Sequence, residues 1–225
     1  MHTYSLGGDK ENIRRTVMLW LFCLSVIFCT LGNQLIGWMN TKLPDLFAGL
    51  NGFFAQWPWM GISIGAISAF AVYGFLFWLF DKFIWKIGIV EKWTGIMNFS
   101  GEWKGLLISS YRNPDTGKNA EIDMVVTIKQ TWTKISVHCE FTNAITGEQS
   151  RSSSEIACVN PEYDGATSLL TFTYRNRSHQ AGMAGQDHRG TNDLFLQHYK
   201  RNSLNGDYYN RRGDSANFGN ITLSR

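Results

Sequence analysis

Two patterns of hydrophobic and polar positions divide the chain. From Val17 to Met39 the residues are apolar almost without interruption, and a second run from Gly61 to Phe80 (GISIGAISAFAVYGFLFWLF) carries no charge. Each reaches the roughly 20 residues that take a helix across a hydrocarbon core of about 30 Å, so the pattern predicts two transmembrane helices. After Lys92 continuous apolarity gives way to alternation. Ile122, Met124, Val126 and Ile128 interleave with Asp123, Val125, Thr127 and Lys129, and Ile135, Val137, Cys139 and Phe141 interleave with Lys134, Ser136, His138 and Glu140. Period-two patterning of this kind marks strands with one face toward a core and one toward water.

Strand patterning covers Gly101–Arg112, Ala120–Lys129, Trp132–Thr142, Ser152–Val159, Ser168–Asn176, Asp193–Lys200, Asn205–Arg211 and Ala216–Ser224. Turn residues stand between these segments, among them Asn113-Pro114-Asp115-Thr116-Gly117, Thr146-Gly147 and Pro161 to Gly165. Eight short strands joined by hairpin turns, with no helical stretch, predict an antiparallel up-and-down β-barrel, lipocalin-like in form, which leaves no open edge. A β-sandwich is the alternative. The switch in period sets the boundary: residues 1–97 form a helical membrane part and residues 98–225 a ligand-binding barrel domain.

Charge sharpens the membrane reading. Between Thr16 and Phe80 the only formal charges are Lys42 and Asp45, although the chain carries 21 Lys+Arg and 18 Asp+Glu. Lys10, Arg14 and Arg15 precede the first run, and Lys82, Lys86 and Lys92 follow the second. The positive-inside rule then puts both termini in the cytoplasm. A cleaved signal peptide competes for the first run, but that run is too long for a signal core and no clean small-residue cleavage site follows it. Gly61, Gly65 and Ala69 make a small-residue stripe suited to close helix packing, either within the hairpin or between copies. Neither run contains Asp, Glu, Lys, Arg or His, which argues against ion-coupled transport.

From Phe99 to Arg225 there are 14 Lys+Arg and 13 Asp+Glu, a balance that gives no electrostatic groove for a DNA or RNA polymer. The four cysteines, Cys23, Cys29, Cys139 and Cys158, fall in apolar or strand-like segments and read as core thiols in a reducing compartment. None of the five histidines stands at a metal-ligand spacing, and no catalytic motif is present, so the reading is a non-enzyme without metal or cofactor. The polar stretch from Arg175 to Asn192 (RNRSHQAGMAGQDHRGTN) reads as a solvated rim loop. An enzyme built on it would depend on His188. Trp103, in Gly101-Glu102-Trp103-Lys104-Gly105, reads as a structural plug at one barrel end. Tyr111, Tyr174 and Tyr208 lie near strand ends beside Arg112, Arg175, Arg211 and Arg212, a combination of stacking faces and guanidinium forks suited to a small nucleotide.

Two apolar runs followed directly by a β-rich domain that opens with SGEWKG and closes with LNGDYYNRRGDSANFGNITLSR resemble the two-transmembrane, β-strand-rich effectors of bacterial CBASS antiphage systems. The resemblance implies an inner-membrane protein whose cytoplasmic barrel binds a cyclic dinucleotide made by a partner nucleotidyltransferase of the CD-NTase class. It further implies self-association into homo-oligomers that breach the bilayer. Carried onto this chain, it puts the ligand near Tyr111, Tyr174, Tyr208, Asn210 and Arg212. The alternative function is a membrane-tethered, lipocalin-like carrier of a small apolar molecule.

Overall fold

The computed structural model describes residues 1–10, 12–45, 48–49, 68–112, 117–143, 147, 149–162, 164–178, 188–212 and 215–225. The chain forms two compact units, one of Asn12–Ile84 and one of Met1–Glu11 with Trp85–Arg225.

In the first unit, α1 (Ile13–Lys42) runs for 30 residues and ends at Leu43, where the following Pro44 disfavours further helical backbone. Its buried stripe is Val17, Leu21 and Ser25, four residues apart, and Phe22 beside it meets Tyr73 of α2 (Ala69–Lys82) edge to face at 6.3 Å. Among the described residues α1 is the one helix long and apolar enough to cross a membrane. The second expected span is shown over its C-terminal part only: α2 has 14 residues, about 21 Å of helix, short of a bilayer core. Gly61 and Gly65 of the small-residue stripe lie outside the described residues, as does the rest of that run before Ser68, while Ala69 is the half-buried first residue of α2.

The second unit is built on β3 (Gly101–Arg112), β4 (Asn119–Gln130), β5 (Lys134–Asn143), β6 (Gln149–Asn160), β7 (Thr167–Ser178), β8 (His188–Gln197), β9 (Ser203–Arg212) and β10 (Ser215–Ser224). Each strand pairs antiparallel with the next, and β10 returns to pair with β3, so the eight strands close. The barrel of the sequence reading is present, and the sandwich is excluded because every strand belongs to one continuous sheet. Two short strands, β1 (His2–Thr3) and β2 (Ser5–Leu6), join the same sheet beside β5 and β6. Hydropathy could not show them, since two residues carry no periodicity. The stretch from Arg175 to Asn192 is also more ordered than a rim loop, because Arg175–Ser178 extend the ladder with β6 and His188–Asn192 pair with Phe172–Asn176 of β7. Their polarity therefore does not mean a lack of pairing. His179 and Asp187 lie outside the described residues.

One barrel end is closed by apolar packing. Leu204, Leu223, Leu196 and Trp103 fill it, and the Trp103 Nε1–H donates to the Phe99 carbonyl at 3.0 Å. The guanidinium of Arg225 lies 4.5 Å from the Trp103 ring centre and donates to the Ser100 carbonyl at 3.1 Å. Beneath them α3 (Gly88–Thr94) ends on Gly95, whose φ of 76° gives the left-handed cap a side chain would resist. Glu91, only 5% exposed, is neutralised by Arg201 at 2.8 Å, and Trp85 packs against Trp132 with ring centres 6.4 Å apart.

Trp103→Ala removes a fully buried indole, its hydrogen bond and the seat of Arg225. Urea unfolding is expected to show a loss of about 3–5 kcal/mol, whereas Trp93→Ala, at a half-exposed position, stays within about 0.5 kcal/mol of the parent. Equal midpoints for both variants would remove Trp103 from the closing core.

Candidate functional site

The opposite end of the barrel is where β3, β5, β7 and β9 finish and where inward-facing positions turn polar. Ser109, Ser152, Asn192 and Tyr208 are buried there, and Tyr174 with them. The ladder fixes two neighbouring rows. Tyr208 stands between Asn192 of β8 and Gly219 of β10, and Gly219 pairs onward with Ser109 of β3. One step nearer the rim, Tyr174 stands between Ser154 of β6 and Gly190 of β8, and Gly190 pairs onward with Asn210 of β9.

The glycines determine how the tyrosines lie. A Cβ on Gly190 would come within 2.5 Å of the Tyr174 hydroxyl oxygen, and one on Gly219 within 2.7 Å of Tyr208 Cε1. Both phenol rings therefore rest sideways along the wall, each crossing a neighbouring glycine. Their hydroxyls are held at the far side: Tyr208 donates to Ser109 Oγ at 2.5 Å, and Asn210 Nδ2 makes a long contact of 3.5 Å with the Tyr174 oxygen. Ser109 Oγ also accepts the Tyr111 backbone N–H at 3.1 Å, which ties the end of β3 to this cluster.

These groups are uncharged at neutral pH. Burial pushes the Tyr174 phenol up to about 12 against the pull of its Asn210 hydrogen bond, and burial raises Tyr208 against its Ser109 bond. Burial likewise lifts the Cys139 thiol to about 12, partly offset by the facing Ser152 hydroxyl. Three polar oxygens in the cluster lack a hydrogen-bond partner, Ser152 Oγ and two amide acceptors. Asn192 Oδ1 and Asn210 Oδ1 are buried without a hydrogen-bond partner. An orphaned buried acceptor costs about 1–3 kcal/mol, and such atoms are rare enough in folded proteins to mark a place where a donor is missing.

The structure brings together three of the five expected binding residues: Tyr174, Tyr208 and Asn210. Tyr111 is more than half exposed, beyond the register shift that follows Ile108 in β3. Arg212 continues β9 two residues past Asn210, where it pairs with Ser215, and its side chain lies outside the described residues. Arg112 and Arg175 are exposed, and Arg189 pairs with Glu155 at 3.3 Å. Ser109 and Asn192 were not expected. The signal for Asn192 is its phase, since it shares the inward parity of Leu194 and Leu196 on β8 and is therefore a polar residue on a core face. Among the described residues no three His, Cys, Asp or Glu side chains gather to hold a metal ion.

A closed eight-stranded barrel that is apolar at one end, and aromatic, amide-rich and uncharged at the other, has the form of a small-ligand receptor. The chain belongs to the family described as Cap15, cyclic dinucleotide receptor domain, whose model matches residues 94–225. It is 26% identical over 228 residues to CD-NTase-associated protein 15 of Yersinia aleksiciae, an alignment that spans 97% of this chain and 93% of that protein. No solved structure matches it significantly.

The raised Tyr174 phenol fixes a sign. Stability linked to it is fully present below pH 10 and is lost as pH rises from 10 through about 12, because the unfolded chain ionises this tyrosine first. Denaturant unfolding at pH 8 and at pH 11 is expected to show a smaller alkaline loss in Tyr174→Phe than in the parent. Parallel losses in the two proteins would show that Tyr174 is not a source of it.

Proposed function

We propose that this protein is a membrane-anchored effector of antiphage defence whose barrel binds a cyclic dinucleotide at its polar end. The observation that carries the reading is the pair of phenol side chains that pass close over Gly190 and Gly219 beside the amides of Asn192 and Asn210. Flat aromatic faces stack on bases whatever their identity, and amides read base edges. The family to which residues 94–225 belong supports the ligand class, and the printed name of the Yersinia relative supports a CD-NTase as its source.

In this reading labour divides near residue 98. The helical part lies in the inner membrane with both termini cytoplasmic, and α1 supports that placement: Leu19, Trp20, Ile27, Phe28, Leu31 and Leu35 leave an apolar surface exposed, as a lipid-facing helix does. The uncharged sequence run from Gly61 to Phe80 is read as the second crossing. Ligand favours an assembled state, and the assembled helices breach the bilayer; differential affinity for the two states sets how far the equilibrium moves. Binding and assembly involve no chemical step. A tethered carrier of apolar molecules fits less well, since its lumen would be lined by Leu, Val and Phe to the rim, where this one has Asn192, Ser152 and Ser109.

The test is calorimetric titration of the full chain in lipid nanodiscs with a panel of cyclic di- and trinucleotides. Saturable binding to a cyclic dinucleotide is expected, weakened tenfold or more, about 1.4 kcal/mol, by Tyr174→Ala or Asn210→Leu. A folded protein that ignores the whole panel sinks the proposal. With the same protein in dye-loaded liposomes, release is expected only when the ligand is present, and ligand-independent or absent release would remove membrane disruption from the account.

A further inference from the structure

The barrel wall is split between β5 and β6. These strands pair only from His138 opposite Ser153 to Thr142 opposite Gln149. Toward the closed end they diverge, next to a register shift in β6 between Ser154 and Ile156. The chain's own N-terminus fills the gap. β1 pairs antiparallel with β5, His2 opposite Ile135, while β2 pairs parallel with β6, Leu6 opposite Val159. The Gly7 N–H continues the second ladder to the Val159 carbonyl at 2.9 Å.

The inserted peptide is anchored along its length. Tyr4 is 3% exposed and donates to the Trp132 carbonyl at 3.0 Å, and Leu6 is buried beside it. His2 Nε2 lies 2.8 Å from Ser154 Oγ, and the same hydroxyl accepts the Val137 N–H at 3.0 Å, an amide that loses its ladder partner where the strands separate. Past β2, Lys10 reaches Glu162 at 3.3 Å. Ser154 is also the cross-strand neighbour of Tyr174. The residue that holds His2 thus stands in the ladder opposite a proposed stacking residue.

We propose that the seam between β5 and β6 is a strand-docking site whose occupant, the N-terminal hexapeptide, reports the state of the lumen to the helix that follows it. The proposal rests on cyclic dinucleotide binding at the polar end. A base stacked on Tyr174 shifts β7 at the position paired with Ser154, and the irregular stretch of β6 at Ser154 is where the wall yields to that shift. Loss of the His2 contact then unzips β1 and β2. Six residues join Leu6 to Ile13, so a docked peptide leashes the start of α1 to at most about 25 Å of extended chain, and a released one does not. The main-chain ladders give the affinity and the buried Tyr4 and Leu6 give the register, as in other strand-addition sites. The two-residue length of each ladder keeps the docking reversible.

Hydrogen exchange of the full chain in nanodiscs, with and without the cyclic dinucleotide that calorimetry identifies, tests this. Amides from Thr3 to Gly7 are expected to exchange at least tenfold faster with ligand bound, while those of β9 and β10 keep their protection. Saturable binding with an unchanged rate in the N-terminal peptide overturns the docking proposal and leaves the receptor reading intact. A calorimetrically silent panel overturns both. As a second readout, His2→Ala and Tyr4→Ala, which release the peptide without ligand, are expected by linkage to bind ligand severalfold and up to about tenfold more tightly than the parent, and to lose the ligand dependence of dye release. Either variant, if folded by circular dichroism and still tightly ligand-gated, overturns the proposal as well.

Discussion

Return of β10 to β3 is the constraint on which the rest of the receptor depends. Once the sheet has no free edge, every inward side chain shares one enclosed interior, and polar groups placed there must find partners inside it. At the Trp103 end the indole N–H of Trp103 does, through the Phe99 carbonyl. At the other end Tyr208 and Tyr174 succeed by crossing Gly219 and Gly190, whereas the oxygens of Asn192 and Asn210 do not. The site is what closure leaves unsatisfied. Its stacking surfaces and its spare acceptors have one cause.

Closure is also incomplete in one place, and the exception is informative. An up-and-down barrel can be sealed by its eight strands alone, yet here β5 and β6 part company and a segment distant in sequence is recruited between them. The recruited segment immediately precedes α1. The N-terminal strands thus give the wall a second covalent link to the helices, beside the one that runs from α2 through α3 into β3.

Much of this was legible in the sequence because half-buried strands write their period plainly. Gly101–Arg112 was read to the residue, and Ala120–Lys129 to within one residue at each end of β4. Period carries no information in two-residue strands, in the polar rim arms of β7 and β8, and at Trp132, which looks like a strand residue but is buried in the turn before β5. Tyr174, Tyr208 and Asn210 were found from aromatic and polar residues near strand ends. Tyr111 shared that signal and is exposed, since the register shift in β3 breaks the phase on which the inference relied. Ser109 was missed because serine at a strand end is unremarkable until its partner across the barrel is known.

The central claim is that the unpaired amide oxygens at the polar end await the ligand. It is tested most directly by following the side-chain amide resonances of Asn192 and Asn210 in isotopically labelled full-length protein as a cyclic dinucleotide is added. Both are expected to shift and saturate together with binding. Saturation of the protein by ligand while both resonances stay where they are would place the site elsewhere and contradict the account.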